Sequence, residues 1–511
     1  MSGVTGIKKQ GSAALVGYYT GWVVLAITLL MAVPLLTSLL LREWSSALDF
    51  VIGMSVSVLV SCLLIACGRA ARRRGAQMDW KSGFAVAALS WLVLMVLCAI
   101  PYRLSGHCQS FLDGCFDVMS GFTTTGLVLT QDLDHLSEGL NMWRHMLTFI
   151  GGQGMVVLAL GFLGRHTSGA YQMYCGEGKD VKLLPNVKNT ARIIWRISMV
   201  YLLAGTAALF VCGLFIGLPP LQAFLHGLYI FESSWSTGGF APNTQNMMFY
   251  HSFAYELITM VIFILGSLNF GLHYAVWQGK RVEMAKNIEV QSFVITSFLA
   301  CALAAAKLSQ LGVYTNAVSV FRRVVYNVLS AHTTTGFGNV YARQFANEWG
   351  DFGILVMTIA MLIGGSACST AGGFKGLRVG IVFRGLVADV RRVLSPERCV
   401  HIEKYHHIQD CVLDDAAVRS SGLIILCYTA LFAVTTLLGV WYGYPLAQSA
   451  FEAASATGNV GLSIGVTQVS TPALLKVQYI LAMYLGRLEF LSVFALIGYV
   501  IGGVKKTCAR H

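Results

Sequence analysis

The segment His332-Thr333-Thr334-Thr335-Gly336-Phe337 has three related segments elsewhere in the chain. These are Phe122-Thr123-Thr124-Thr125-Gly126, Ser236-Thr237-Gly238-Gly239-Phe240 and Ser455-Ala456-Thr457-Gly458-Asn459. A nearly constant spacing leads from each segment to a glycine in the next apolar run, namely Gly152, Gly266, Gly364 and Gly486. Four copies in phase indicate an internal repeat, because unrelated turns do not require Thr-Gly at matched positions.

An aromatic residue joined to an acid or amide precedes each of these segments. The four pairs are Phe116-Asp117, Phe231-Glu232, Tyr326-Asn327 and Phe451-Glu452. The acids could attract cations to an outer vestibule, or they could brace short helices, and the sequence leaves both interpretations open.

The composition places these repeats in a membrane. Of 511 residues, 56% are hydrophobic and only 12% are charged, with a mean hydropathy of +0.65. This excludes disordered, fibrous and disulfide-stapled secreted proteins and argues against a soluble enzyme. A membrane crossing needs about 20 apolar residues. Ten crossings are predicted, at 21–41, 51–67, 84–101, 147–163, 194–217, 255–277, 292–313, 351–384, 421–440 and 474–503.

The net charge of +12 indicates orientation. With the N-terminus inside and the sides alternating, most of the 36 Lys and Arg residues fall in inner segments, as the positive-inside rule requires. Both termini are therefore expected in the cytoplasm. The basic excess gives no support to nucleic-acid binding.

These observations predict an all-α integral membrane protein with four span–pore-helix–span repeats around one pseudo-fourfold pore, preceded by an N-terminal pair of transmembrane helices. The expected units are the helix pair at 1–83 and pore repeats at 84–193, 194–291, 292–420 and 421–511. The third repeat is expected to carry a glycine-rich loop and a cytoplasmic loop.

Four loops of this kind are typical of an ion pore. Irregular backbone at membrane depth is tolerated only where protein or a water-filled cavity surrounds it. Carbonyl oxygens pointing to one axis can replace the hydration shell of an ion, and glycine permits the backbone conformations this needs. The short helix before each loop would direct its negative end at a cation.

Other segments add to the pattern: Trp143-Arg144, Gly151-Gly152-Gln153-Gly154, the glycine-rich stretch 364–373, and Gly486-Arg487-Leu488-Glu489. With these motifs the chain resembles the Trk/Ktr/HKT superfamily of potassium transporters over residues 84–511, and most closely the bacterial Trk type. The resemblance implies K⁺ uptake as the function, K⁺ as the transported ion, and a bacterial inner membrane as the location. It also implies a homodimer and a cytoplasmic nucleotide-binding regulatory subunit of the RCK type.

Carried over to this chain, the resemblance implies a selectivity filter formed by four short segments. These are Thr124-Thr125-Gly126, Thr237-Gly238-Gly239, Thr334-Thr335-Gly336 and Ala456-Thr457-Gly458. A serine at the first filter glycine accompanies sodium transport in plant relatives, so Gly126 favours K⁺. In the second segment either glycine could be the equivalent one, and Gly239 is favoured because Phe240 follows it.

The resemblance also implies a gate. Its residues would be Gly364, Gly365, Ser366, Ser369, Thr370, Gly372, Gly373 and Arg487. Four glycines disfavour a regular helix in this stretch, although small residues could instead form a helix-packing surface. A charge such as Arg487 within a span normally faces a cavity or a partner. It could form a barrier in the pore, held by carbonyls of 364–373, or it could pair with an acid such as Glu489 of a neighbouring repeat.

The remaining signals are weaker. Lys307 and Lys476 are expected to snorkel to the interface, and a disulfide between Cys108 and Cys115 is left open. Cys399, His401, His406, His407 and Cys411 match no zinc pattern and indicate a polar connecting loop. No catalytic constellation or nucleotide-binding motif appears, so neither an enzyme nor an organic cofactor is expected. The alternative function is a Na⁺- or H⁺-coupled K⁺ symporter on the same pore.

Overall fold

The computed structural model describes residues 12–73, 78–155, 170–177, 187–396 and 402–508. This part of the chain is helical apart from one antiparallel hairpin, in which Lys404–His407 pairs with Gln409–Val412. It forms an all-α membrane fold with an N-terminal helix pair and four pore repeats.

The N-terminal pair packs against the first repeat. Its helices are Ser12–Leu30, Ala32–Leu40 and Trp44–Arg73. Pro34 explains the break after Leu30, because its ring would clash with the carbonyl four residues earlier. Between the second and third helices, the Glu43 carboxylate accepts bonds from the backbone N–H groups of Glu138 (2.8 Å) and Gly139 (3.0 Å). It thereby satisfies donors at the start of a helix in repeat one.

Each repeat consists of a first helix, a short pore helix and a second helix. The first helices are Trp80–Leu104, Val187–Ile216, Ile288–Gln310 and Asp415–Trp441. The pore helices are Phe111–Phe122, Pro220–Trp235, Tyr326–His332 and Leu446–Gly458. The second helices are Glu138–Gln153, Phe253–Gly266 with Phe270–Trp277, Gly350–Ile363 with Gly376–Leu394, and Ala473–Arg487 with Leu491–Cys508.

Shorter elements connect these helices. They are the 3-10 turns Leu133–His135 and Asn246–Tyr250, the π-helical turn Val320–Val325, and the short helices Ala170–Cys175, Glu283–Lys286, Ala317–Ser319 and Ala342–Glu348. Ala317–Ser319 and the π-helical turn lead directly into the third pore helix.

Breaks in the second helices set this fold apart from ten continuous spans. Within the described residues, six helices are long and apolar enough to cross a membrane alone, and eight spans result if each of two bent pairs counts as one. The helices bend by 97° between Gly266 and Phe270 and by 109° between Arg487 and Leu491. The sequence predicted an interruption only in 351–384. The latter half of the predicted run 147–163 lies outside the described residues.

Local sequence explains these breaks. Asn269 caps the helix that follows the first bend, accepting the backbone N–H of Gly271 through its side chain. Glu489 and Phe490 both adopt left-handed backbone, with φ of 52° and 67°, which no α-helix accommodates. The apolar character of each run continues across its break, so hydropathy alone does not reveal it.

The pore helices lie inside the bundle and the first helices face outward. The large side chains Trp91, Trp143, Trp235 and Trp349 are fully buried. On three first helices, Leu203, Phe298 and Leu437 are exposed, which is the arrangement expected of a lipid-facing surface. The bundle therefore surrounds the four pore-helix ends with protein.

Candidate functional site

Four glycines, one from each repeat, form a closed ring where the pore helices end. They are Gly126, Gly239, Gly336 and Gly461, with φ of +90°, +68°, +82° and +93°. A Cβ atom added to any of them would overlap a backbone carbonyl of the next repeat, in the order one, two, three, four and back to one. Glycine is required here both by the left-handed backbone and by the close approach of neighbouring loops.

The residues before these glycines repeat the same geometry. Two positions earlier the backbone is left-handed in every repeat, at Thr124, Thr237, Thr334 and Asn459 (φ 51° to 57°). One position earlier, each N–H donates to the carbonyl of a serine in its pore helix. The pairs are Thr125–Ser120 (2.8 Å), Gly238–Ser233 (2.7 Å), Thr335–Ser330 (2.8 Å) and Val460–Ser455 (2.8 Å). We call Thr124–Gly126, Thr237–Gly239, Thr334–Gly336 and 459–461 the ring loops.

The fourth ring loop corrects the sequence prediction, which placed Ala456, Thr457 and Gly458 there. Those three residues form the last turn of the fourth pore helix instead. The carbonyl of Thr457 lies against Gly486 of the second helix. Asn459, Val460 and Gly461 occupy the positions that Thr334, Thr335 and Gly336 occupy in repeat three. In the second loop the ring glycine is Gly239, while Gly238 matches the threonine position.

The carbonyl oxygens of the residues just before the ring glycines accept no hydrogen bond from the described residues. The oxygens of Thr125, Gly238, Thr335 and Val460 each lie against the ring glycine of the adjacent repeat. No hydrogen bond from any described residue reaches these four oxygens. Buried carbonyls are nearly always paired. Four unpaired ones around a single axis therefore form a negative site suited to a cation.

Loop 364–373 lies across the axis, against the ring. The Thr124 hydroxyl donates to the Thr370 carbonyl (3.4 Å), and the Thr237 and Thr370 hydroxyls are 3.3 Å apart. The Gly372 N–H donates to the Thr334 hydroxyl (2.8 Å). At the fourth ring loop, Gly372 packs so closely on Asn459 that a Cβ added to Gly372 would lie 2.9 Å from the Asn459 Cβ. Loop 364–373 therefore contacts all four ring loops.

Backbone bonds hold this loop at its base and along one side. Phe374 N–H donates to the Leu362 carbonyl (2.8 Å) and Lys375 N–H to the Ile363 carbonyl (2.9 Å), which closes the loop. At the bend in repeat two, Ser366 N–H donates to the Ser267 carbonyl (3.0 Å).

Contacts within the loop keep it compact. Gly364, φ +74°, lies directly against Gly372 and Gly373, while Gly365 packs on Ala371. The Ser369 hydroxyl donates to the Ser366 carbonyl (2.6 Å). The predicted gating residues therefore form one irregular loop and no continuous helix-packing surface.

Arg487 contacts this loop at Thr370. Its guanidinium donates to the carbonyls of Thr370 (2.5 Å), Gly151 (2.7 Å) and Gly152 (3.3 Å). It thus connects repeats one, three and four beside the axis. The alternative partner Glu489 instead pairs with Lys375 (2.6 Å) and Arg378. Sequence reasoning missed these two cations, although both follow the glycine-rich stretch directly.

The acids of the pore helices brace the loops that follow the ring. The Asp117 carboxylate accepts the N–H groups of Leu129 (2.7 Å) and Thr130 (2.9 Å). Glu452 accepts the N–H groups of Ile464 and Val466, both at 3.1 Å.

The amide of repeat three occupies the same position, nine residues before the ring glycine. The Asn327 amide donates to the Asn339 side chain (2.6 Å). In repeat two that position is Ile230, because Glu232 lies two residues further along. The aromatic–acid pairs therefore match in three repeats only.

Three further features of the sequence lie distant from the ring. Lys476 does not snorkel: it is buried and pairs with Asp113 at 2.6 Å. Lys307 is half-buried near the end of its helix. Cys108 and Cys115 are both buried thiols without a disulfide.

The hairpin of the third repeat contacts Glu283 and Glu289 through two adjacent histidines. His406 bonds to Glu283 and to Asp410, both at 2.6 Å. These acids raise the pKa of His406, and the same contact lowers the pKa of Asp410. His407 lies 3.7 Å from Glu289, and burial lowers the pKa of His407 to about 4. Cys399 and His401 lie outside the described residues, and the described ones form no metal-binding group.

The fold and the ring together define a membrane protein that transports cations. The model of the TrkH family, described as a cation transport protein, matches residues 52–498. The chain belongs to this family.

Named relatives resemble it over nearly the whole length. The Trk system potassium uptake protein TrkG of Escherichia coli K12 is 26% identical to this chain. The match covers 94% of this chain and 97% of TrkG. TrkH of Halomonas elongata is 28% identical, covering 93% and 96%. The crystal structure of the potassium transporter TrkH from Vibrio parahaemolyticus shares the fold, with a TM-score of 0.80, 24% identity and 95% and 98% coverage.

Proposed function

We propose that this chain takes up K⁺ through the ring, with the four ring loops as its selectivity filter. The observation that carries this proposal is the set of buried carbonyls of Thr125, Gly238, Thr335 and Val460, to which no described residue donates. Such oxygens replace water around a dehydrated cation. The names of the relatives TrkG and TrkH, both potassium uptake proteins, point to the same ion.

Loop 364–373 and Arg487 act as the gate. The loop contacts every ring loop, so an ion cannot leave the filter along the axis until the loop moves. The positive charge of Arg487 beside the Thr370 carbonyl adds electrostatic opposition to a cation. Opening therefore requires the loss of at least these contacts.

The chain functions as a homodimer in a bacterial inner membrane, with both termini in the cytoplasm. The concentration of basic residues in inner segments supports this orientation. A cytoplasmic nucleotide-binding subunit of the RCK type regulates it, docking on the same basic surface. The names of the relatives, which place them in a Trk system, support a multi-component assembly.

Growth of a K⁺-uptake-deficient bacterial strain on low K⁺ tests this function. The wild-type chain should restore growth and Rb⁺ uptake. Gly126→Ser should shift uptake towards Na⁺, because a hydroxymethyl group at φ +90° displaces the adjoining carbonyl. Absence of rescue at normal membrane abundance, or full Rb⁺ uptake after loss of a ring glycine, would contradict the proposal.

A further inference from the structure

A buried carboxylate, Glu289, holds loop 364–373 from the side opposite the ring. One of its oxygens accepts the Ala367 N–H at 2.6 Å and the other accepts the Asn269 side-chain amide at 3.2 Å. Its side chain has no exposed surface. A charge-assisted bond of this kind is about twice as strong as a neutral one, and burial keeps water from competing for it.

This carboxylate lies at the junction of two irregular segments of the chain. Asn269 belongs to the bend of the second helix in repeat two, and Ala367 belongs to the loop. At the other end of the loop, Lys375 and Arg378 engage Glu489 in the bend of repeat four. Glu289 therefore bonds to the first half of loop 364–373, and Glu489 bonds to two cations that follow the loop.

The cytoplasmic hairpin covers the same carboxylate. His407 lies over Glu289, with Nδ1 and Oε2 3.7 Å apart, and only 13% of its side chain is exposed. His406 secures the hairpin to Glu283, just before the helix that carries Glu289. From the other side, Arg384 donates to the Lys404 carbonyl (2.8 Å) and so connects the hairpin to the helix that follows the loop.

We propose that Glu289 is the positioning residue that keeps loop 364–373 across the axis, and that hairpin 404–412 controls it by shielding this carboxylate from water. The inference rests on the proposed gating function. Displacement of the hairpin admits water to Glu289. Water then competes with the Ala367 N–H, and the closed position of the loop loses its main charged acceptor on this side.

Cys368, a buried thiol next to Ala367, reports the position of the loop directly. Its modification by a membrane-impermeant thiosulfonate reagent can be followed by peptide mass spectrometry in proteoliposomes. Glu289→Ala should raise the labelling rate and the Rb⁺ flux roughly tenfold or more, with the K⁺/Na⁺ permeability ratio unchanged. Glu289→Gln keeps one acceptor oxygen and should give a smaller rise. Asp389→Ala, an exposed acid on the helix after the loop, is the matched control.

The hairpin is tested with a second matched pair. His407→Ala removes the ring above Glu289, while Gln409→Ala changes its exposed partner in the hairpin register. Faster Cys368 labelling in His407→Ala than in Gln409→Ala supports the control by the hairpin, and equal rates overturn it.

The outcomes separate this inference from the proposed function. Unchanged Cys368 labelling in monodisperse Glu289→Ala and Glu289→Gln overturns the role of Glu289, whatever the flux. A lowered melting temperature would indicate a general loss of stability, which also counts against a positioning role. Faster labelling without Rb⁺ flux in any variant or in the wild type supports the positioning role and contradicts the K⁺ pore.

Discussion

Gly461→Ala should damage ion selection more than the same change at the nearby Gly458. Gly461 has φ +93°, and a Cβ added to it would overlap the Thr125 carbonyl of the first ring loop. Left-handed backbone in a residue with a side chain costs about 1–3 kcal/mol, a factor of roughly 5 to 160 in an equilibrium. Moving Thr125 to relieve the overlap shifts one of the four ring carbonyls.

Bi-ionic reversal potentials in planar bilayers measure the result. Gly461→Ala should lower the K⁺/Na⁺ permeability ratio and reduce Rb⁺ uptake by roughly tenfold or more. Gly465→Ala is the matched control. It has φ +106°, yet its Cβ would come no closer than 3.8 Å to the Gln468 amide. The control therefore incurs the backbone strain without the overlap, and its permeability ratio should remain that of the wild type.

Gly458→Ala completes the comparison. Its Cβ would lie 2.6 Å from the Met361 carbonyl, within the packing of the fourth pore helix. It should reduce stability, while the folded fraction keeps its permeability ratio. If Gly458→Ala lost selectivity and Gly461→Ala retained it, the assignment of the fourth ring loop would be wrong.

Three further predictions concern other contacts. Arg487→Gln should raise Rb⁺ flux roughly ten- to a hundredfold, because hydrogen bonds to charged groups contribute about 1.5–3 kcal/mol each. Unchanged flux at normal abundance would remove Arg487 from the gate. Lys476→Met should cost about 3–5 kcal/mol, seen as a lower Tm in detergent, because Asp113 stays buried without its cation. An unchanged Tm would show that this ion pair contributes little. The bond between His406 and Glu283 should be complete below the ordinary His406 pKa of 6.5 and lost as pH rises through its raised pKa. Amide exchange of the hairpin, corrected for intrinsic rates, should therefore accelerate with pH in the wild type but not in His406→Gln.

The repeat and three ring loops could be predicted from the sequence because their signals are local. A Thr-Gly segment after a short apolar helix specifies its own left-handed turn. The prediction for the fourth loop was wrong because a similar Thr-Gly pair, Thr457-Gly458, lies within the pore helix itself. A better guide was the serine six residues before each ring glycine, Ser455 in repeat four, whose carbonyl accepts the loop N–H.

Contacts between distant parts of the chain could not be predicted. The partner of Lys476 lies 363 residues earlier, and nothing near either residue indicates the pairing. The bends at Ser267 and Glu489 lie within apolar runs, so hydropathy showed continuous spans. Glu289 belongs to no sequence motif, because its contact depends on the fold placing Ala367 beside it.

The closure of the ring has a consequence for biogenesis. The side-chain amide of Asn459 donates to the Thr125 hydroxyl at 3.1 Å, across 334 residues of sequence, and Gly461 packs directly on Thr125 and Gly126. The first ring loop therefore gains this neighbour only when the fourth repeat is in place. During synthesis, the first ring loop therefore lacks its contacts with Asn459 and Gly461 until the fourth repeat has inserted. A chain that stops after three repeats leaves Thr125 and Gly336 facing an open quadrant, so truncation should abolish transport altogether.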